Sequence, residues 1–432
     1  MLFIRRARVP VALLASPPGK VDPFEPAALC DLTIEGDRIT AVTASGASPA
    51  PAGATQFDAG GSLVFPGFVD AHTHLDKTHT WHRAPNHSLT FWEAIEVLHK
   101  DRANWTEADI RRRAGFALRT AWANGTRAIR THIDSSLPWA ETSHATIAAL
   151  RAEWKGRIEL QSIPLVAGPC YETAEGEQLA DIAIRHGATA LGGFMQMTPT
   201  LPAQLDRLLA LATERRVGLD LHVDENDNPA NEVLRLVAEA VLRHGFTFPV
   251  ACGHCCTLAK QAPARAQSTI ALVREARIHI VSLPLCNLYL QDRRTAGTEF
   301  PRTPQWRGLT LVHDLLDAGV PVTCAGDNVR DAFHEFGDYD MLEVYQQSIR
   351  IAHLDARLAD SIRVVTSTPA DLMGLPHHGR IVPGARAHLV ISAARRFSEL
   401  LSRTSLPRRL VDGETVHATP PPDFAELAAV GL

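Results

Sequence analysis

Short apolar runs recur along the whole chain, and between them apolar residues return every three or four positions. The run Leu63–Val69 reads as a buried strand. Seven more follow it: Arg127–Ile133, Ile158–Leu165, Ala188–Phe194, Gly218–Val223, Phe248–His254, Ile278–Leu283 and Val320–Cys324. Segments 107–123, 201–215, 229–244 and 258–276 carry helical spacing, and Thr106-Glu-Ala-Asp109 is a start signal for the first of them. Mostly apolar strands alternating with helices predict a parallel sheet covered on both faces. Eight such units suit an α/β fold of the (β/α)8 TIM-barrel type, whose usual length is ~250 residues. A doubly wound open sheet would want a glycine-rich phosphate turn after its first strand. Here that turn is Asp70-Ala-His-Thr-His74, which favours the barrel.

The ends follow a different pattern. Leu2–Ile4, Leu32–Ile34 and Ile39–Val42 are short alternating runs broken by Pro, Gly and Ala, the signature of small antiparallel strands. His388–Ser392 and Arg409–Val416 answer them at the far end, with Asp412-Gly413 as a hairpin turn in the second. Residues 1–62 and 380–432 are expected to form one accessory β unit, and 63–379 the barrel.

Composition narrows the class of function. The 432 residues are 45% hydrophobic and 21% charged, ordinary for a globular enzyme. A net charge of −5 without Lys/Arg runs gives no footprint for nucleic acid or a membrane surface. No apolar stretch reaches the ~20 residues that a spanning helix needs. The charges of Met1–Arg8 follow its apolar residues, the reverse of a secretory signal. The 7 cysteines include Cys252, Cys286 and Cys324 in or beside strand-like runs, and Cys252-Gly-His-Cys255 lacks the second pair of a structural zinc site. Reduced core cysteines in a cytoplasmic protein are the expectation.

In such barrels catalytic groups sit at the C-terminal ends of strands. Those ends carry His72 and His74, then His132 and Asp134, then His222, Asp224 and Glu225, then His254, and last Asp327 and Asn328. Residues two apart in an extended chain face the same side, so His72 and His74 leave the first strand together. Three neutral imidazoles and one carboxylate suit a single Zn²⁺ or Fe²⁺ ion, with His72, His74, His222 and Asp327 as the candidate ligands. Glu225 is placed to carry a proton between water and a leaving nitrogen, and His254 to polarise the attacking water. The fourth strand ends in Gly192–Gln196 without the lysine that bridges two metals, so one ion is expected. Substrate contacts are open to Lys77 beside Asp76, to Gln196, Gln291 and Asn328, and to a flat ring stacking on Trp81, Phe91 or Trp92.

Taken together, these residues resemble the amidohydrolase superfamily and, within it, the cytosine deaminase-like group. The resemblance rests on Pro66–Thr78, Asn124-Gly-Thr126 with Arg130–Asp134, Leu221–Asp227, Gly253-His254, Asn287–Arg293 and Gly326–Asn328. It implies a distorted barrel with an accessory β-sandwich from both termini. It also implies hydrolytic release of ammonia or an amine from a heterocycle. By position it makes His72, His74, His222 and Asp327 the ligands, Glu225 the proton shuttle and His254 the partner of the attacking water. Two positions depart from the cytosine deaminase pattern. Ala167 stands where a glutamine reads the pyrimidine amide edge, and Asn328 stands where a second acid follows Asp327. An alanine cannot make that hydrogen bond, which argues against cytosine itself.

The expectation is therefore a mononuclear metal-dependent deaminase of a cytosine-like or triazine-like ring. Hydrolysis of a cyclic amide or an N-substituted amino heterocycle is the alternative, and a catalytically silent metal-binding barrel a third reading. The partner is a small heterocyclic molecule, and a homo-oligomer stays open.

Overall fold

In the computed structural model, residues 1–19, 21, 24–293 and 303–432 are described. One sheet holds eight parallel strands in chain order. They are β1 (Phe68–Thr73), β2 (Thr126–Asp134), β3 (Glu159–Ala167), β4 (Ala190–Met195), β5 (Gly218–Val223), β6 (Val250–His254), β7 (His279–Ser282) and β8 (Val322–Cys324). Nearly all their residues are buried, as expected of strands covered on both faces. The sheet curls until its edges meet, where a parallel bridge joins Thr73 to Asp327. The Asp327 N–H donates to the His72 carbonyl at 2.8 Å, and the Thr73 hydroxyl donates to the Asp327 carbonyl at 2.8 Å. The result is the expected (β/α)8 barrel.

The apolar run 63–69 is not one strand. Val64–Pro66 pairs with His388–Ser392, and β1 begins only at Phe68. Pro66 has no N–H to continue a ladder, and Gly67 passes so close to Arg127 that a Cβ would lie 2.5 Å from its Cγ. A uniformly apolar run carries no local mark of a change of partner.

By contacts the chain divides into two compact units, residues 1–70, 119–128 and 340–421, and residues 71–118, 129–339 and 422–432. The first contains two four-stranded sheets, as the expected accessory β-sandwich from both termini requires. One is ordered 38–44, 27–35, 2–10, 55–58, with its last pair parallel. The other is ordered 415–417, 408–412, 388–392, 64–66. Strands 408–412 and 415–417 form the expected hairpin, with Gly413 at φ +60° in its two-residue turn.

The second unit contains the helices that matter to the site. Glu107–Ala123 is helical as expected, and the Thr106 hydroxyl accepts from the Asp109 N–H at 3.2 Å. The expected helix at 258–276 is a 3-10 turn, Cys256–Lys260, and then a helix, Pro263–Glu275, because Pro263 starts a new helix at its first position. Helix α1 (Phe91–Asp101) is capped by Thr90, whose Oγ1 accepts from the Glu93 N–H at 3.3 Å, while the Glu93 carboxylate accepts from the Ser88 N–H. Arg83 ties its last residue, Asp101, to Asp109 of the next helix, through Nε at 2.8 Å and Nη1 at 2.6 Å. Among the described residues no helix is long and apolar enough to cross a membrane.

Asp412 is the electrostatic centre of the first unit. Arg127 donates to it through Nε and Nη2, each at 2.8 Å, while His388 Nδ1 lies at 2.8 Å and His417 Nε2 at 2.9 Å. Burial works against its charged form, but hydrogen bonds from His388 and Arg127 outweigh it and hold the carboxyl well below the usual range. A carboxyl depressed in the folded state lends stability above its unfolded pKa of ~3.9, and loses it as pH falls through that value and below. Asp412→Asn leaves the Arg127 guanidinium, 1% exposed, without its carboxylate. We expect a loss of about 3 kcal/mol at pH 7 in denaturant melts, and a smaller loss at pH 3 than at pH 7.

Candidate metal centre

The strand ends carry the candidate ligands to one point. His72 lies within β1, His74 just beyond it, and His222 within β5 beside Gly253 of β6. His72 Nε2 is 3.1 Å from His222 Nε2, which is 3.4 Å from His74 Nε2. Asp327 Oδ1 is 3.2 Å from His74 Nε2 and 3.6 Å from His72 Nε2. Glycine at 253 makes room, since a Cβ there would meet the His72 ring at 3.1 Å. Asp327 reaches the group from a left-handed backbone, φ +63°, and His254 from one at φ +67°, conformations that non-glycine residues adopt at a cost of ~1–3 kcal/mol each.

A divalent ion fits these residues. Four tetrahedral ligands at ~2.1 Å from a cation stand ~3.4 Å from one another, close to the separations seen. Burial, and then neighbouring cationic groups, drive His72, His74 and His222 well below the usual imidazole pKa, so each is neutral and able to ligate. Asp327 is fully buried, and among the described residues the only hydrogen-bond donor its carboxylate meets is the weak thiol of Cys286. Buried carboxylate oxygens so poorly paired are expensive, and a cation at their side would satisfy them.

Glu225 and His254 stand next to this centre as a pair. His254 Nδ1 lies 3.2 Å from Glu225 Oε1, and Asn287 Nδ2 bridges them at 3.2 Å from Glu225 Oε1 and 3.0 Å from His254 Nδ1. Burial favours neutral His254, but the charge and hydrogen bond of Glu225, with Asp327 behind, raise its pKa above the usual value. Gln291 holds the backbone of Glu225, donating from Nε2 to its carbonyl at 3.3 Å. Asp224 does different work. Its carboxylate accepts from the N–H groups of Val233 and Leu234, at 3.2 and 2.9 Å, and so starts the following helix. His132 packs its ring on His72 with centroids 4.0 Å apart and faces Asp220 at 3.6 Å, which is itself paired with Arg130.

A cavity of about 400 Å³ opens over the centre and includes His74, His222, Glu225, His254 and Asp327 in its wall. Phe91, Trp92, Phe194 and Phe333 form its aromatic side. Lys77, Gln196 and Asn328 also line it, and so does Ala167. Asn328 Nδ2 is committed to Asp331 Oδ2 at 2.7 Å. Trp81 is not among the lining residues; its backbone N–H donates to the Arg330 carbonyl at 2.9 Å, and Trp92, 62% exposed, takes the aromatic position instead.

Residues 117–416 match the model of the amidohydrolase family. The chain belongs to that family. Pterin deaminase of Rhizobium rhizogenes is 44% identical over 387 residues, 89% of this chain and 87% of that protein. The structure of 5-methylcytosine deaminase from Klebsiella pneumoniae with 5-fluorocytosine superposes with a TM-score of 0.83 at 26% identity, covering 98% of each chain. N-isopropylammelide isopropylaminohydrolase of Burkholderia multivorans superposes with a TM-score of 0.77 at 26% identity, covering 96% of this chain and 97% of that one. As an amidohydrolase the chain is a hydrolase of carbon–nitrogen bonds other than peptide bonds, and membership implies a divalent metal.

Asn287 opens one of the segments that carry the family resemblance, but the sequence assigned it no role, although it is the one hydrogen-bonding side chain before Tyr289 in the apolar segment Pro284–Leu290 and sits just past β7. In this amidohydrolase, His74→Ala and Asp327→Ala should each lower the bound metal of the purified protein at least tenfold by plasma mass spectrometry. His132→Phe keeps the ring stack and adds no donor, so it should retain metal near stoichiometry if His132 only packs against His72.

Proposed function

We propose that this amidohydrolase is a mononuclear hydrolytic deaminase of a flat, aminated heterocycle, with an amino-oxo bicycle of the pterin class as its preferred substrate. The observation that carries the reading is the Glu225–Asn287–His254 group standing beside three convergent imidazoles and a poorly paired carboxylate. The 44% identity to a pterin deaminase supports the bicycle. Ala167 supports it too, since its small side chain leaves the cavity wider than a ring-reading glutamine would.

His72, His74, His222 and Asp327 would hold the ion, and Zn²⁺ and Fe²⁺ both accept this donor set. When bound, the cation acts as a Lewis acid that brings the pKa of water toward ~7. Glu225 takes the proton of the attacking water and delivers it to the nitrogen that leaves as ammonia. His254 donates toward the oxygen that adds to the ring carbon, and Asn287 keeps Glu225 and His254 in register. Phe91, Trp92, Phe194 and Phe333 offer faces and edges to a planar ring.

The protein's partner is this small molecule. The net charge of −5 speaks against nucleic acid, and all 7 cysteines are free, which supports a reducing cytoplasm. Likeness to an N-isopropylammelide hydrolase favours one further reading, release of an alkylamine from the same ring position.

Glu225→Gln should keep its metal and lose ~10²–10⁴-fold in kcat, measured as ammonia release. A mutant within tenfold of the parent would remove Glu225 from the proton path. Across aminopteridines, aminotriazines and aminopyrimidines, the aminopteridines should give the highest kcat/KM. Alkylamine in place of ammonia would favour the second reading.

A further inference from the structure

Beside the metal centre, the cavity wall carries a buried ion pair that the reaction chemistry does not use. Lys77 Nζ donates to Asp134 Oδ1 at 3.1 Å, and their side chains are 4% and 5% exposed. Both residues line the cavity. Lys77 follows His74 by three residues, and Asp134 ends β2, the strand next to β1. Desolvating two charges costs several kcal/mol per ion, and such a pair is no better for stability than packed apolar residues. Its retention on a ligand-facing wall therefore asks for a ligand.

The pair is also held still. The Asp134 N–H donates to Asp76 Oδ2 at 2.7 Å, Arg102 Nη2 approaches Asp134 Oδ2 at 3.4 Å, and the Lys77 ammonium lies 4.9 Å from the centre of the Phe333 ring. Several other polar groups of this wall are committed elsewhere, whereas Gln196 stays open to solvent at the cavity's edge. Asn328 donates to Asp331, Arg102 Nη1 donates to Ser136, and the Ser135 hydroxyl serves the Ile133 carbonyl and His144. Lys77 has three N–H donors and Asp134 four lone-pair positions, so each has capacity beyond their mutual bond.

We infer that Lys77 and Asp134 together read the lactam edge of the substrate ring: Nζ donates to the ring carbonyl while the carboxylate accepts from the adjacent ring N–H. This rests on the deaminase reading and names the substrate class for it, an amine-bearing carbon followed in the ring by N–H and C=O. A donor and an acceptor side by side reproduce what one glutamine amide offers, so the pair answers the absence of that residue at Ala167. A 2,4-diamino ring presents the opposite pattern, an acceptor nitrogen and an NH₂ donor. Its NH₂ would face the ammonium and leave buried polar groups unmatched, the situation that gives discrimination of ~10⁴–10⁵.

Binding of a 2-amino-4-oxopteridine and of its 2,4-diamino analogue is measured by calorimetry in metal-loaded E225Q protein, where turnover does not interfere. The lactam should bind at least ~100-fold more tightly than the diamine. In E225Q/K77M that ratio should fall below tenfold with metal content unchanged. Because K77M leaves Asp134 buried without its partner, E225Q/K77M/D134L is measured in parallel; it removes both charges, a change that preserves folding. A ratio that stays near 100 in the folded triple variant overturns the inference, and so does equal binding of the two ligands by the E225Q parent. Failure of the parent enzyme to release ammonia from any ring amine would instead strike the deaminase reading, while the binding ratio would still test the pair.

Discussion

The contact on which the site depends is the closure of the barrel at Thr73 and Asp327. Two hydrogen bonds of 2.8 Å fasten the end of the last strand to the first. The bond from the Asp327 N–H to the His72 carbonyl is also a link between two candidate ligands. Without closure, His72 and His74 would lie at one edge of an open eight-stranded sheet and Asp327 at the other. With closure, the same backbone contact that satisfies the sheet edges places a carboxylate 3.2 Å from an imidazole.

That arrangement stores unfavourable terms in one place. Asp327 and His254 adopt left-handed backbones, three neutral imidazoles crowd together, and a buried carboxylate meets only a thiol donor. A few kcal/mol of such strain must be carried by the rest of the barrel, whose strands are almost wholly buried. An incoming cation relieves the imidazole crowding and the poorly paired carboxylate together.

Much of this was legible in the chain. Strands Gly218–Val223 and Phe248–His254 stand out as mostly apolar runs, and the histidines at their ends mark the mouth. The convergence of residues 72, 74, 222 and 327 followed once the barrel was inferred. What escaped were features set by contacts distant in sequence. Pro66-Gly67 divides one apolar run between two sheets, and nothing in the run's hydrophobicity signals it. Asn287 looks like a stray polar residue until Glu225 and His254 are seen on either side of it. Helix α1 went unread among its aromatics, although Thr90 and Glu93 advertise its start. Trp81 and Trp92 are equally good stacking candidates by composition; only the path of the chain separates them.

Helix α1 has a wider implication. The candidate metal ligands and the Glu225–His254 pair come from strand ends, but Phe91 and Trp92 come from a helix inserted between β1 and β2. That helix carries its own threonine N-cap and its own arginine clamp, so its integrity does not draw on the ligand geometry. Part of the cavity's aromatic wall is thus encoded on a piece of chain separate from the strand ends, which supply Ala167, Phe194 and the polar centre. Phe91 and Trp92 can be exchanged to suit a larger or smaller planar molecule while the strand-end residues stay as they are, which makes this insertion the natural starting point for retargeting the scaffold.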